Sequence, residues 1–408
     1  MKIGFLFNHD MLHQIAHTAP IAAELAAEGV DVSILCSSPE QERRVRALVP
    51  AGLPVRFVQL TTSRLANIAN SLTGGVIPFR RLGILRQNLS LFAGFDALVV
   101  PETTSTLLKS RYGLNGLKLI YLPHGAGDRS IGFRGVTRLF DFVLLSGNKV
   151  RDRMLRSGLV TAENCKIVGY PKFDTVDLDH VPRIFDNDRP TVLYNPHFDP
   201  LLSSWRTMGE QVLDYFAQQD RFNLIFAPHV MLFQRRLHAS LEHRRLWFRR
   251  KIPQRFFGLP HIRIDTGSPL STDMSYTRAA DIYLGDVSSQ VYEWIYRPRP
   301  CIFLNSHHAA WRGNPNYAHW LLGDVIDSIA ELPAALERAI ADPNRFARLQ
   351  EQACKETFGV DDVTPSSRRA ADAILRFMRR HSRCAGELPV AQNTFSALMT
   401  CAPGNNGL

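Results

Sequence analysis

Four short apolar runs each end in a histidine: FLFNHD supplies His9, YLPHG His124, LYNPHF His197 and IFAPHV His229. Three of the four follow a proline, and with 14 histidines in 408 residues the recurrence exceeds scatter. An imidazole accepts a proton from a hydroxyl near neutral pH and, once charged, donates to phosphate oxygens. Both tasks belong to phosphate-ester chemistry. His124 is the best placed of the four to act as base, because Gly125 and Gly127 let the backbone approach a ligand and Asp128 is positioned to orient or charge the ring. The competing account of any one of them is a polar residue where a strand reaches solvent, and it weakens when four behave alike.

A second constellation stands in DIYLGDVSSQVYEWIYRPRP. The spacing predicts a buried strand ending at Asp286 and a helix capped by Ser288 or Ser289. The first turn of such a helix offers unpaired N–H groups, two hydroxyls and the positive end of a dipole, which together suit a diphosphate. Glu293 is expected to receive ribose hydroxyls or to cap its own helix, and Arg297 and Arg299 to screen phosphate charge. An ordinary helix cap uses the same residue types; the place of this one at a sheet edge sets it apart. No metal is expected, since His229, His307 and His308 match no zinc spacing and no DxD-like motif is placed to hold one.

These residues need elements to hold them. KIGFLF, DVSILC, VRFVQL, ALVVP, KLIYLP, FVLLS and KIVGYP read as strands, with an amphipathic helix closed by Gly29 between the first two. The pattern restarts with TVLYNP, NLIFAP, IRIDTG, DIYLGD and PCIFLN. The expected fold is α/β: two doubly wound Rossmann-type domains facing across a cleft, the first spanning 1–182 and the second 188–365. Helices are expected over 331–340 and 366–380, and a disordered tail over 381–408. Ligands of such sheets bind beyond the carboxyl ends of the strands, where all four histidines fall.

Composition narrows the partners. The six cysteines show neither CxxC spacing nor density, so a disulfide scaffold is excluded and a reducing compartment fits. No run approaches the roughly 20 apolar residues of a membrane span, which points to the cytoplasm or the inner face of the membrane. A net charge of +10 asks for an acidic partner: nucleic acid, anionic lipid or a phosphorylated small molecule. Residues 233–257 mix arginines with Leu, Trp and Phe, and are expected to form a helix, either lying on an anionic bilayer or packing its aromatics inward with its arginines solvated; residues 65–92 are a second amphipathic candidate. Nucleic acid falls behind, for want of a helix-turn-helix, zinc-finger or RNP-like pattern.

YLPHGAGDR, FDFVLLSGN, VGYPKFD, VLYNPHF, IFAPH and DIYLGDVSSQVYEWIYRPRPCIFLN, taken in order across 115–305, resemble the CDP-glycerol glycerophosphotransferase family. The resemblance implies a GT-B fold, a CDP-activated alcohol as donor, a lipid-linked or polymeric cell-surface acceptor, and no obligatory metal or cofactor. An acceptor hydroxyl attacks the distal phosphorus and CMP leaves. Carried over by position, the resemblance makes His124 the base, sets His229 on the donor pyrophosphate and has Ser288 and Ser289 hold the phosphates. With the reading of the residues themselves, the expected catalytic set is His124, Asp128 and His229, and the expected donor-binding set is Gly125, His197, Asp286, Ser288, Ser289, Glu293 and Arg297. Three departures stand out: Gly285-Asp286-Val287 before the serines, Glu293 where the family has Asp, and Lys172 where it has Arg. A GT-B nucleotide-sugar glycosyltransferase or epimerase, or a non-catalytic binding relic, would use the same scaffold.

Overall fold

A strand buried on both faces reads as an unbroken apolar run, and most strands here are of that kind. The computed structural model describes residues 1–386, apart from 10, 74–76, 235–236, 241–244 and 360–362. Its first sheet comprises β1 Lys2–Phe7, β2 Asp31–Cys36, β3 Val55–Gln59, β4 Ala97–Val100, β5 Lys118–Tyr121, β6 Phe142–Leu145 and β7 Cys165–Ile167. They pair in parallel in the order β3-β2-β1-β4-β5-β6-β7. After β8 Thr191–Asn195 and β9 Asn223–Phe226 comes a hairpin, β10 Leu237–Ser240 with β11 Arg245–Phe248. Then follow β12 Ile262–Ile264, β13 Ile282–Gly285, β14 Cys301–Leu304 and β15 Asp324–Ile326. Apart from the hairpin these form a second parallel sheet, β12-β9-β8-β13-β14-β15.

Each sheet reverses its winding at its first strand: β1 lies between β2 and β4, and β8 between β9 and β13. The crevices at those reversals are where an open α/β sheet binds ligands. The loops leaving β1, β4, β5, β8, β9 and β13 therefore define the cleft. The helix Ile15–Ala27 follows β1 and is closed by Gly29 at φ 76°, with Val30 N–H bonded to the Leu25 carbonyl.

One apolar cluster runs through both halves, joining Leu145 and Tyr170 of the first to Tyr283, Val291 and Trp294 of the second. A further cluster is completed by the last helix, Ser366–Gly386, which returns to the first sheet and sets Ala370, Ile374 and Phe377 among Ile3, Phe5 and Ile120.

The expected helix 366–380 thus runs six residues further, to Gly386. Residues 387–408 of the expected tail lie outside the described residues. The basic segment 233–257 is corrected more deeply: where it is described it is mainly the β10–β11 hairpin, preceded by the single turn Met231–Gln234. Its aromatic residues Trp247 and Phe248 fall in β11, where such side chains are favoured. Residues 65–92 do contain helices, at Arg64–Leu72, Phe79–Gln87 and Leu89–Phe92. The first of these buries none of its residues.

Candidate functional site

His124 lies three residues beyond β5. Its Nδ1 is 2.9 Å from the Pro101 carbonyl, just beyond β4. A carbonyl only accepts, so Nδ1 carries the proton and Nε2 is the accepting nitrogen; it takes a long hydrogen bond of 3.4 Å from the Gln14 side-chain N–H, which an acceptor hydroxyl would replace. His229 and His197 have the opposite arrangement. The Nδ1 of His229 accepts from the Met231 N–H at 3.3 Å, and that of His197 from the Asp199 N–H at 3.0 Å, so each neutral ring presents Nε2–H as a donor. One imidazole suited to take a proton thus shares the cleft with two suited to hold anionic oxygens. Burial lowers the pKa of all three, His229 to about 4, with the mutual proximity of His124 and His229 adding to the effect on His229.

Ser288 and Ser289 face this group from beyond β13. The loop at Gly125–Gly127 and Ser289 are in close contact: a Cβ added at Gly127 would come within 2.8 Å of the Ser289 Cβ, and one at Gly125 within 3.5 Å of its Oγ. Two cavities share His124, Ser288 and Ser289. The outer, about 380 Å³, is also lined by Gly125, Asp128, His197 and His319. The inner, about 130 Å³, is lined by His13, His17, His229, Lys172 and Glu293. The helix after the serines, Gln290–Trp294, is a single short turn, and Ser289 makes no side-chain cap bond to it. A full helix dipole is therefore not available to the cradle, and any anion there is held by the loop and the imidazoles.

Four expected roles are corrected. Asp128 does not orient His124; buried, it accepts from Tyr292 Oη at 2.6 Å, His319 Nδ1 at 3.0 Å and Lys149 Nζ at 3.0 Å. Burial acts to raise its pKa, but the His319 hydrogen bond and the Lys149 charge outweigh that and hold it well below the usual carboxylate range. Asp286, 1% exposed, turns away from the cleft to accept from the N–H groups of His197 (2.9 Å), Ser204 (2.7 Å) and Val287 (2.7 Å). It positions the His197 and Ser288 loops rather than touching a donor, and burial, opposed by those N–H groups, pushes its pKa up to about 6. Glu293 is claimed by Lys172 Nζ, at 2.7 and 2.8 Å, and by Tyr170 Oη at 2.9 Å, although it still borders the inner cavity. Arg297 is exposed beyond the far end of its helix, bonded to the Arg278 carbonyl, and Arg299 stacks on Trp294 at 3.7 Å; neither lines the cleft.

The sequence reading missed His13, His17, Lys149, Tyr292 and His319. For the first two a signal exists: His9, His13 and His17 recur every fourth residue, the spacing of one helix face. The His13 ring lies 5.8 Å from that of His124 and 6.2 Å from that of His229, centroid to centroid. His9 is outside both cavities, its Nδ1 accepting from Met11 N–H. His307 bonds the Ser203 carbonyl, and among the described residues no three His, Cys, Asp or Glu side chains converge to hold a metal ion.

No protein-family model matches this sequence, and no curated protein matches it either. Solved structures do match in shape. The S. aureus MnaA–UDP co-structure aligns over 95% of this chain and 98% of its own, with a TM-score of 0.60 at 14% identity. A putative UDP-N-acetylglucosamine 2-epimerase from Listeria monocytogenes aligns over 94% and 96%, with a TM-score of 0.59 at 14% identity. The wall teichoic acid polymerase TagF aligns over 93% and 90%, with a TM-score of 0.58 at 13% identity. At such identities the likeness establishes the fold, which is GT-B: two parallel-sheet α/β domains across a cleft.

Proposed function

We propose that the protein transfers a glycerol-phosphate or related polyol-phosphate group from a CDP-activated donor to a hydroxyl of a lipid-linked or polymeric acceptor. The observation that carries this reading is the pairing of tautomers across one cleft: His124 with Nε2 as its accepting nitrogen, His229 and His197 with Nε2–H available to donate, and Ser288 and Ser289 opposite. In the reaction the acceptor O–H passes its proton to His124 Nε2 as its oxygen bonds the distal phosphorus. The phosphorus–oxygen bond to CMP breaks, and CMP leaves with that electron pair. Such a displacement needs alignment and charge neutralisation more than covalent catalysis. Imidazole N–H donors and the serine loop supply both from this chain, so the reading calls for no obligatory metal.

The structural likeness to TagF, solved also with CDPG, supports this donor class. The likeness to the MnaA–UDP co-structure favours a second reading, a nucleotide-sugar transferase or epimerase, on the same cleft. Incubating the purified protein with CDP-glycerol and, separately, with UDP-sugars, and following CMP against UDP, separates them. The absence of CMP from every CDP-alcohol tried, with an acceptor present, would remove the first reading.

The acceptor side of the reading includes an anionic membrane surface. Its support is the Arg64–Leu72 helix, where Leu65, Ile68 and Leu72 are 78%, 56% and 83% exposed. Among the described residues no helix is long and apolar enough to cross a membrane, so this contact is peripheral in kind.

A further inference from the structure

The inner cavity is unusual in the groups left unsatisfied around it. His17 is 1% exposed, yet its Nδ1 has no hydrogen-bond partner, and the buried Ser271 Oγ on the same wall has none. His13 makes ring contacts with His124 and His229 but no hydrogen bond among the described residues. Four imidazoles, those of His13, His17, His124 and His229, therefore border one small space together with Lys172.

The acidic groups nearby are already committed. Glu293 is held by Lys172 and Tyr170. Glu102, whose charge reaches His124, accepts from the N–H groups of Thr104 and Ser105. Burial, and then the neighbouring His124, His229, His17 and Lys172, hold the His13 ring well below its ordinary pKa; burial, Lys172 and His124 do the same for His17, whose ring also meets Tyr170 edge-on. Burial among basic neighbours thus disfavours the charged forms of His13 and His17. An anion entering the cavity reverses the balance, because a nearby opposite charge favours the protonated form.

We propose that the inner cavity is an anion subsite for the terminal phosphoryl group of a nucleoside diphosphate, in which His13 and His17 take up a proton as the anion enters and donate to its oxygens. The assignment rests on the nucleotide-diphosphate reading of the cleft and adds two residues to it. It also gives His13 and His17, after β1, a purpose: the positive charge is made where and when the phosphoryl group arrives.

Calorimetric titration of the full chain with CDP, at one pH in two buffers of different ionisation enthalpy, measures proton uptake directly. The wild type is expected to bind CDP with proton uptake. His13→Asn and His17→Asn, checked for folding by thermal melt, are each expected to lower both the uptake and the affinity, the latter about tenfold. A second measurement uses the wild type alone: inorganic sulfate, whose charge does not change between pH 6 and 8, should compete with CDP with an inhibition constant, corrected for CDP's own affinity at each pH, several-fold lower at pH 6 than at pH 8. CDP binding without proton uptake, sulfate competition that is flat with pH, both folded variants binding like the wild type, or CDP affinity that depends on a bound metal and is lost to chelator would each overturn the proposal. Turnover is read separately: CMP release without pH-linked anion binding sinks only this subsite, and pH-linked anion binding without CMP release sinks only the transferase.

Discussion

His124 and His229 differ in what their backbone neighbours offer, a carbonyl to one Nδ1 and an N–H to the other, and that difference assigns their chemistry. Replacing His124 with Gln removes the accepting imidazole nitrogen. It should lower turnover of the preferred donor by about 10² to 10⁴-fold, while calorimetry finds CDP binding nearly unchanged; equal losses in binding and turnover would count against a base. Lys172 and Glu293 carry a second residue-scale argument. They are two of the sequence's departures from the glycerophosphotransferase pattern, and the structure shows them to be partners at 2.7 Å. A shorter cation meets a longer anion, so the two departures compensate each other. Lys172→Ala should destabilise the chain by about 3–5 kcal/mol in urea unfolding, since it strands a buried carboxylate. Lys172→Arg and Glu293→Asp should each cost stability, and the double variant should recover most of it. Three of the four strand-end histidines legible in the sequence, His124, His197 and His229, line the cleft, because a polar residue soon after an apolar run projects from the sheet edge; His9 does not. The roles of Asp128, Asp286 and Glu293 were not legible, because each carboxylate is claimed in part by a residue far away in the chain, Ser204 for Asp286 at 82 positions, Lys172 for Glu293 at 121 and His319 for Asp128 at 191.

Among the elements, the strands were the easiest to read: in both sheets a central parallel strand is apolar from end to end, and loops with Pro, Gly or Asp bound it. The exceptions follow the same physics. Strand β15, Asp324–Ile326, is three residues long at the sheet edge and begins with a charge, so it carries no such run. The hairpin β10–β11 hides in an arginine-rich segment whose composition suits a surface helix equally well. Two loops matter more than any strand for function. Gly127 has no room for a Cβ because Ser289 occupies the space, so Gly127→Ala should press the two cleft walls apart at a cost of about 1–3 kcal/mol and reduce turnover. Adding Ser289→Gly removes the obstructing atom and should restore the stability but not the serine's contribution to donor affinity; no recovery in the double variant would show that the contact is not the cause. The Arg64–Leu72 helix makes a prediction of its own. Burying a leucine or isoleucine side chain contributes about 1.5–3 kcal/mol, so Leu65→Ser with Ile68→Ser should lower sedimentation with anionic vesicles at least tenfold. Unchanged sedimentation would leave the exposed stripe without a lipid role.

At the scale of the whole molecule, the two halves are tied together by buried polar contacts and by the last helix. Asp128 of the first half joins His319 and Tyr292 of the second, Lys172 joins Glu293, and the last helix returns to the first sheet. Around these contacts five histidines, 13, 17, 124, 197 and 229, are held below the ordinary imidazole pKa, by burial first in every case. A group with a depressed folded pKa contributes stability that is complete above its unfolded value, near 6.5, and is lost as pH falls through the folded value, about 4 for His229. Asp286 works the other way. Its carboxyl, raised to about 6 from an ordinary value near 3.8, contributes stability that is full below the unfolded value and lost as pH rises through 6. Five histidines outweigh that one carboxyl, so stability should fall between pH 7 and pH 5 instead of holding level. Urea unfolding at pH 7, 6 and 5 is expected to show the fall, and His229→Gln should remove from it on the order of 2 kcal/mol, with the remainder carried by the other four rings. Anionic ligands oppose the same loss, because they bind the protonated cluster; CDP should therefore protect the chain more strongly at pH 6 than at pH 8. A free chain equally stable at pH 5 and 7 would mean that the imidazoles are already charged in the empty cleft, and the argument that the cleft acquires its charge from its ligand would fail with it.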